Sequence, residues 1–129
     1  QQIARQTLQR TRDEVHKGLT GDWKVGEPRF FDGGSYAKQT MIRGSFGVDL
    51  LVFFRTRHRF AAGTFYTTTE QRLQKLGYVT QRHGFGVRLA YGGGFHIDVI
   101  PGLADDDAFL YAHLSLGETG VTKRTSIRI

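Results

Sequence analysis

The sequence predicts an α+β domain in which helices flank a mixed, mostly antiparallel sheet. Three observations carry this expectation. Apolar residues recur at helical spacing near the start, a run of Val, Leu and Phe has the composition of a buried strand, and two strand-like segments surround three consecutive glycines.

The elements follow in order. Residues 1–19 read as an amphipathic helix, with Ala4, Leu8, Val15 and Leu19 on one stripe, ended by Gly18 and Gly21. Arg29, Phe30 and Phe31 form a short strand after Pro28. Ser35 caps a short helix over residues 36–42. Residues 43–47 form a turn, and residues 48–54 a buried strand interrupted only by Asp49. A short helix is expected over residues 69–76, with Thr69 as its cap and Gly77 as its stop. Residues 60–66 carry no clear pattern. Residues 86–91 and 95–100 pair as a hairpin through Gly92, Gly93 and Gly94, and Pro101 and Gly102 end its second strand. Residues 104–107 read as an acidic loop. Residues 109–116 alternate loosely, and residues 125–129 alternate as a strand does.

The bulk properties narrow the classes. The 129 residues fit one domain with its own core. There is no cysteine, which excludes disulfides and thiolate metal sites and fits a cytoplasmic protein. No apolar run approaches the roughly 20 residues of a membrane span. A net charge of +6 favours phosphate-bearing partners. The chain begins at Gln1 inside a helical pattern and stops at Ile129 inside a strand pattern, so both ends read as cut from a longer protein.

The chemistry lies in the carboxylates. An aspartate inside an apolar strand is costly unless it is paired or bound to a cation. Asp49 and Asp98 both sit in such strands. Because strand side chains alternate, Asp98 shares a face with His96 and Ile100, and Gly47 shares one with Asp49. Upstream, Gly34 and Ser35 open a predicted helix, where backbone N–H groups suit a phosphate. Nucleotidyl transfer requires this kind of convergence: two hard cations about 3.5–4 Å apart, held by carboxylates from different strands.

The segment from Gly34-Ser35 through Thr40 and Arg43-Gly44 to Gly47-Val48-Asp49-Leu50 resembles the signature of the DNA polymerase β nucleotidyltransferase superfamily. That signature is a glycine-serine turn, a spacer, and two acids separated by one residue on a strand. Thr40 and Arg43-Gly44 make it similar to the 2′-5′-oligoadenylate synthetases and the bacterial cGAS/DncV-like nucleotidyltransferases; CCA-adding enzymes and poly(A) polymerases share a looser version. Ile97-Asp98-Val99-Ile100-Pro101 resembles the family's third-acid strand, and residues 121–129 are similar to the segment after the core in the bacterial group. The resemblance covers residues 30–54 and 86–102 well, and residues 55–85 and 103–120 poorly.

The resemblance implies a polymerase β-like nucleotidyltransferase core, a single domain lacking a C-terminal helical region. It would bind a nucleoside triphosphate with Mg²⁺ or Mn²⁺ and transfer its nucleotidyl group to a hydroxyl. Second-messenger or oligonucleotide synthesis in antiviral defence is the implied setting. Gly34, Ser35 and Thr40 would hold the nucleotide, the first two at its β- and γ-phosphates. Asp49 would bridge both metals, and Asp98 would help bind the second and act on the attacking hydroxyl. RNA or an oligonucleotide is an implied further partner, and an RNA or tRNA 3′-end nucleotidyltransferase is the alternative within the superfamily.

One departure is plain. Where the family has its first acid, this chain has Gly47, which offers no ligand atom. Metal-dependent catalysis is therefore expected to be impaired, and a non-catalytic nucleotide- or RNA-binding module is the rival reading. Asp32 and Asp105 to Asp107 are the nearby acids, but their spacing does not place them at the site. Simpler roles stand beside these: Asp98 paired with Arg88 or His96, Ser35 as a helix cap, and the cluster Arg55, Arg57, His58 and Arg59 as either a solvated loop or a phosphate-contacting patch. None of the five histidines has metal-ligand spacing; His96 stands out for sharing the face of Asp98.

Overall fold

The computed structural model describes residues 2–21, 23, 27–32, 38–39, 46–55, 64–91, 95–105, 109, 111–117, 119 and 122–126. Helix α1 (Gln2–Gly18) leads into β1 (Arg29–Asp32), β2 (Lys38–Gln39) and β3 (Phe46–Phe54). Helix α2 (Thr64–Lys75) follows, then β4 (Thr80–His83), β5 (Gly86–Tyr91), β6 (Phe95–Ala104), β7 (Tyr111–Ser115) and β8 (Thr122–Ser126). This is the expected α+β architecture. The strands form one sheet with central order β1-β3-β6-β5-β4; β2 adds to β3, and β7 carries β8 onto the end of β6. The β3–β6 pair is parallel and the other pairings are antiparallel.

Strand alternation divides the sheet into two faces. Val48, Leu50, Val52 and Phe54 of β3 join Ile97 and Val99 of β6 and Val87 and Leu89 of β5 in the main core. The helices close over it with Val15, Phe65, Tyr66 and Leu73, joined by Leu19 just past the end of α1. On the alternate positions a smaller core gathers Phe53, Ala104, Phe109 and Ala112. The remainder of that second face, toward the start of β3 and β6, is polar.

Several elements differ from the sequence expectation. Lys38 and Gln39 pair with Gly47 and Phe46 as a strand rather than continuing a helix; the rest of that predicted helix lies outside the described residues, as do Gly34, Ser35 and Thr40. Helix α2 starts five residues before Thr69, which is no cap. Its buried hydroxyl donates to the Phe65 carbonyl at 2.8 Å, a back-bond within the helix. The stop at Gly77 is as expected: at φ 100° its N–H bonds the Gln74 carbonyl, while Tyr78 N–H bonds that of Leu73. Those two bonds define a Schellman cap. Strand β6 does not end at Pro101 but runs to Ala104. Its partner on one side changes there, from β5, which ends opposite Val99, to β7, which begins opposite Gly102. Proline is tolerated at such an interruption of pairing.

Candidate functional site

The parallel register of β3 and β6 sets Asp49 opposite Asp98 and Gly47 opposite His96. Register partners in neighbouring strands lie about 4.8 Å apart and share a face. Two residues far apart in sequence thus bring their carboxylates to one edge of a cleft. On the far side of β6, Arg88 of β5 pairs with Asp98. The cleft encloses about 370 Å³; Asp49, His83, Arg88, His96 and Asp98 supply its polar wall, with Phe85, Ile100 and Leu114 on the apolar side.

Arg88 holds Asp98 with both arms. Its Nε–H donates to Oδ1 at 2.8 Å and its Nη2 to Oδ2 at 3.0 Å. The planar fork of a guanidinium matches a carboxylate in this geometry. The hydrogen bonds to Asp98 raise the proton affinity of Arg88, with burial opposing and the charges of Asp98 and Asp49 adding to it. The simpler role for Asp98, a strand aspartate paired with Arg88, is therefore present in the structure.

Position 47 is shaped by its neighbour. A Cβ placed on Gly47 would lie 2.0 Å from Nε2 of His96, 2.5 Å from Cε1 and 2.7 Å from Cδ2. The imidazole edge covers the glycine where a longer residue would project. Burial lowers the pKa of His96 below its ordinary value, as do Arg88 and His83, while Asp98 and Asp49 oppose the shift. The ring thus favours its neutral form.

These residues do not fit a two-metal centre. Position 47 supplies no donor, and Arg88 engages both oxygens of Asp98. Among the described residues no group of three or more His, Cys, Asp or Glu is arranged to hold a metal ion. Among the other nearby acids, Asp105 does not repair this. Asp105 is held by Nε2 of His113 at 2.8 Å and by Nε of Arg124 at 2.9 Å, and it does not line the cleft. Asp106 and Asp107 lie outside the described residues, as do Arg57, His58 and Arg59.

The sequence set Gly47 on the face of Asp49 and His96 on the face of Asp98, and the resemblance joined the two acids; His83 was missed, and Arg88 was offered only as a structural partner. A signal for Arg88 was available. A symmetric hairpin with residue 91 opposite 95 has partners summing to 186, which sets 88 opposite 98, as observed. His83 needed the unpredicted β4, whose antiparallel pairing places it opposite Gly86.

The fold is that of the bacterial cGAS/DncV-like nucleotidyltransferases, or CD-NTases. The chain superposes on CdnG of Bradyrhizobium diazoefficiens, solved in complex with GTP, at TM-score 0.74 and 12% identity, covering 96% of this chain and 39% of that one. It matches CdnC of E. coli MS115-1, from a complex with HORMA-deltaN, at TM-score 0.68 and 19% identity, covering 98% and 42%. It also matches the Rhodothermus marinus CdnE c-UMP-AMP synthase, solved with Apcpp and Upnpp, at TM-score 0.55 and 20% identity, covering 84% and 46%. The chain thus spans less than half the length of each of these structures. No family model and no curated protein matches the sequence.

Proposed function

We propose that this chain is the core of a cGAS/DncV-like nucleotidyltransferase whose cleft receives a nucleoside triphosphate and whose own nucleotidyl transfer is impaired at position 47. The observation that carries this reading is the parallel register that sets Asp49 beside Asp98 at the cleft, with Gly47 and His96 in the adjacent row. That arrangement supports the acid assignment of the sequence signature, and the fold supports the nucleotide. Gly34 and Ser35 are proposed to hold the β- and γ-phosphates and Thr40 to bind the nucleotide, on the strength of the signature. A C-terminal helical region is proposed to complete the cleft.

Competent transfer by this superfamily's route needs carboxylates that jointly hold Mg²⁺ or Mn²⁺ and neutralise charge on the attacking and leaving oxygens. With Gly47 in place of one acid and Arg88 on another, this chain's residues favour binding over chemistry. The hold of Arg88 on Asp98 favours the second reading, a non-catalytic nucleotide-binding module. An RNA or tRNA 3′-end activity rests on the looser resemblance alone.

Labelled nucleoside triphosphates with Mg²⁺ or Mn²⁺ test the proposal. Gly47→Asp alone meets the His96 ring, so the informative variant combines it with His96→Ser. Product is expected from the double variant at a rate at least about tenfold above the parent, and Asp98→Ala in that background should abolish it. Strong turnover by the parent chain would overturn the impairment. Nucleotide binding without product in either form would favour the module.

A further inference from the structure

The centre contains two aspartates in register and one arginine on the next strand, opposite the second of them. Two like charges on adjacent strands repel unless a cation sits among them. In a metal centre that cation is divalent. Here a guanidinium already makes the bonds. Its fork engages both oxygens of Asp98, and its charge also acts on Asp49. Of the five N–H donors on an arginine, two are used in this way. The other three are not part of this pair, and guanidinium donors bind phosphate oxygens in the same planar manner in which they bind carboxylates. The side chain of Arg88 is 27% exposed, and the residue lines the cleft.

A divalent ion entering this centre would meet several obstacles. It prefers six or more hard oxygen ligands. It would have to strip Arg88 from Asp98, find no donor at Gly47, and displace the imidazole edge that lies over that glycine. Arg88 already offsets one of the two carboxylate charges without it.

We infer that Arg88 is a built-in cation, standing where a divalent ion would bridge carboxylate and phosphate, so that the cleft takes a nucleoside polyphosphate without divalent metal. This rests on the proposed nucleotide-binding reading, and two measurements keep the two separable. The first titrates Mn²⁺ alone into the chain, followed by electron paramagnetic resonance. No saturable site is expected up to about 1 mM. The second measures GTP and ATP binding by calorimetry in EDTA and again in Mg²⁺. Affinities within about twofold of each other are expected, falling at least about tenfold in Arg88→Met. Arg88→Lys keeps the charge but loses the fork, and guards against an Arg88→Met chain that fails to fold. Its affinity should also drop while its circular dichroism stays that of the parent.

A saturable Mn²⁺ site in the parent that Asp49→Asn removes, with nucleotide binding that requires Mg²⁺, overturns the inference and leaves the nucleotide reading standing. Absence of GTP and ATP binding in both EDTA and Mg²⁺ overturns the nucleotide reading itself.

Discussion

The two faces of the β3–β6 pair are built from alternate residues of the same strands, yet they obey different rules. On the helix-covered face, Val48, Leu50, Val52 and Phe54 meet Ile97 and Val99 in a closed apolar core. On the other, Asp49, Asp98, His96 and Arg88 line an open cleft. Asp49 and Leu50 are neighbours in sequence, at 7% and 0% exposure, and their side chains do unlike work. The apolar face needs only volume and shape. The polar face needs a specific partner for each charge, because a buried charge without one is costly. Stability should therefore concentrate on the first face and ligand recognition on the second.

The largest effect that tests this division is a cavity on the apolar face. Leu50→Ala should lower unfolding free energy by about 2–5 kcal/mol, the range for buried leucine truncations. Urea denaturation monitored by circular dichroism measures it. Asp49→Asn, one residue away, preserves volume and should cost less than half as much. Equal losses at the two positions would break the comparison, since the cleft face would then be as structural as the core.

A smaller effect belongs to the polar face and is read in pH. Burial first, then Arg88 and His83, hold the pKa of His96 below the ordinary 6.5, while Asp98 and Asp49 pull the other way. The unfolded chain takes up a proton near the ordinary value, whereas the folded chain resists until lower pH. Stability should therefore fall as pH drops through about 6.5 and level off once the folded pKa is passed. His96→Asn removes the titrating group and should flatten that part of the profile, read as urea midpoints between about pH 7.5 and about pH 5.5. An unchanged slope in His96→Asn would mean that the imidazole over Gly47 is better solvated than its contacts indicate.

The same division explains what was legible in the sequence. Period-two alternation is local, so the strand through Asp49, the strand through Asp98 and the shared face of His96 and Asp98 could be read directly. The meeting of Asp49 with Asp98 was implied by the family resemblance, not by spacing, since parallel pairing joins strands distant in sequence. The contact of His96 with Gly47 depends on that same register and could not be read at all. Helix α2 was foreshortened because its first turn, with Phe65 and Tyr66 buried, carries Thr and aromatic residues of modest helix propensity that tertiary packing overrides. Lys38 and Gln39 are a strand because β3 offers them an edge, a long-range fact. Pro101 misled because its tolerance depends on where β5 hands over to β7.

The smallest effect concerns the pair that ties α2 to β4. Arg82 donates from Nε to Oε2 of Glu70 and from Nη2 to Oε1, both at 2.8 Å. These hydrogen bonds hold the pKa of Glu70 below its ordinary value, with burial opposing them. A depressed carboxylate contributes stability that is present above its unfolded pKa and is lost as pH falls through the folded one. Arg82 is 42% exposed against 13% for Glu70, so water screens much of the attraction. Glu70→Gln should cost only about 0.5–1 kcal/mol near neutral pH, shrinking toward zero in acid. Thermal melts of both forms across that range measure the difference. A cost several times larger would mean that this exposed pair fixes the β4–β5 hairpin, and with it the strand that presents Arg88 to Asp98. In that case the two faces would not be independent, and nucleotide affinity in Glu70→Gln would fall together with stability.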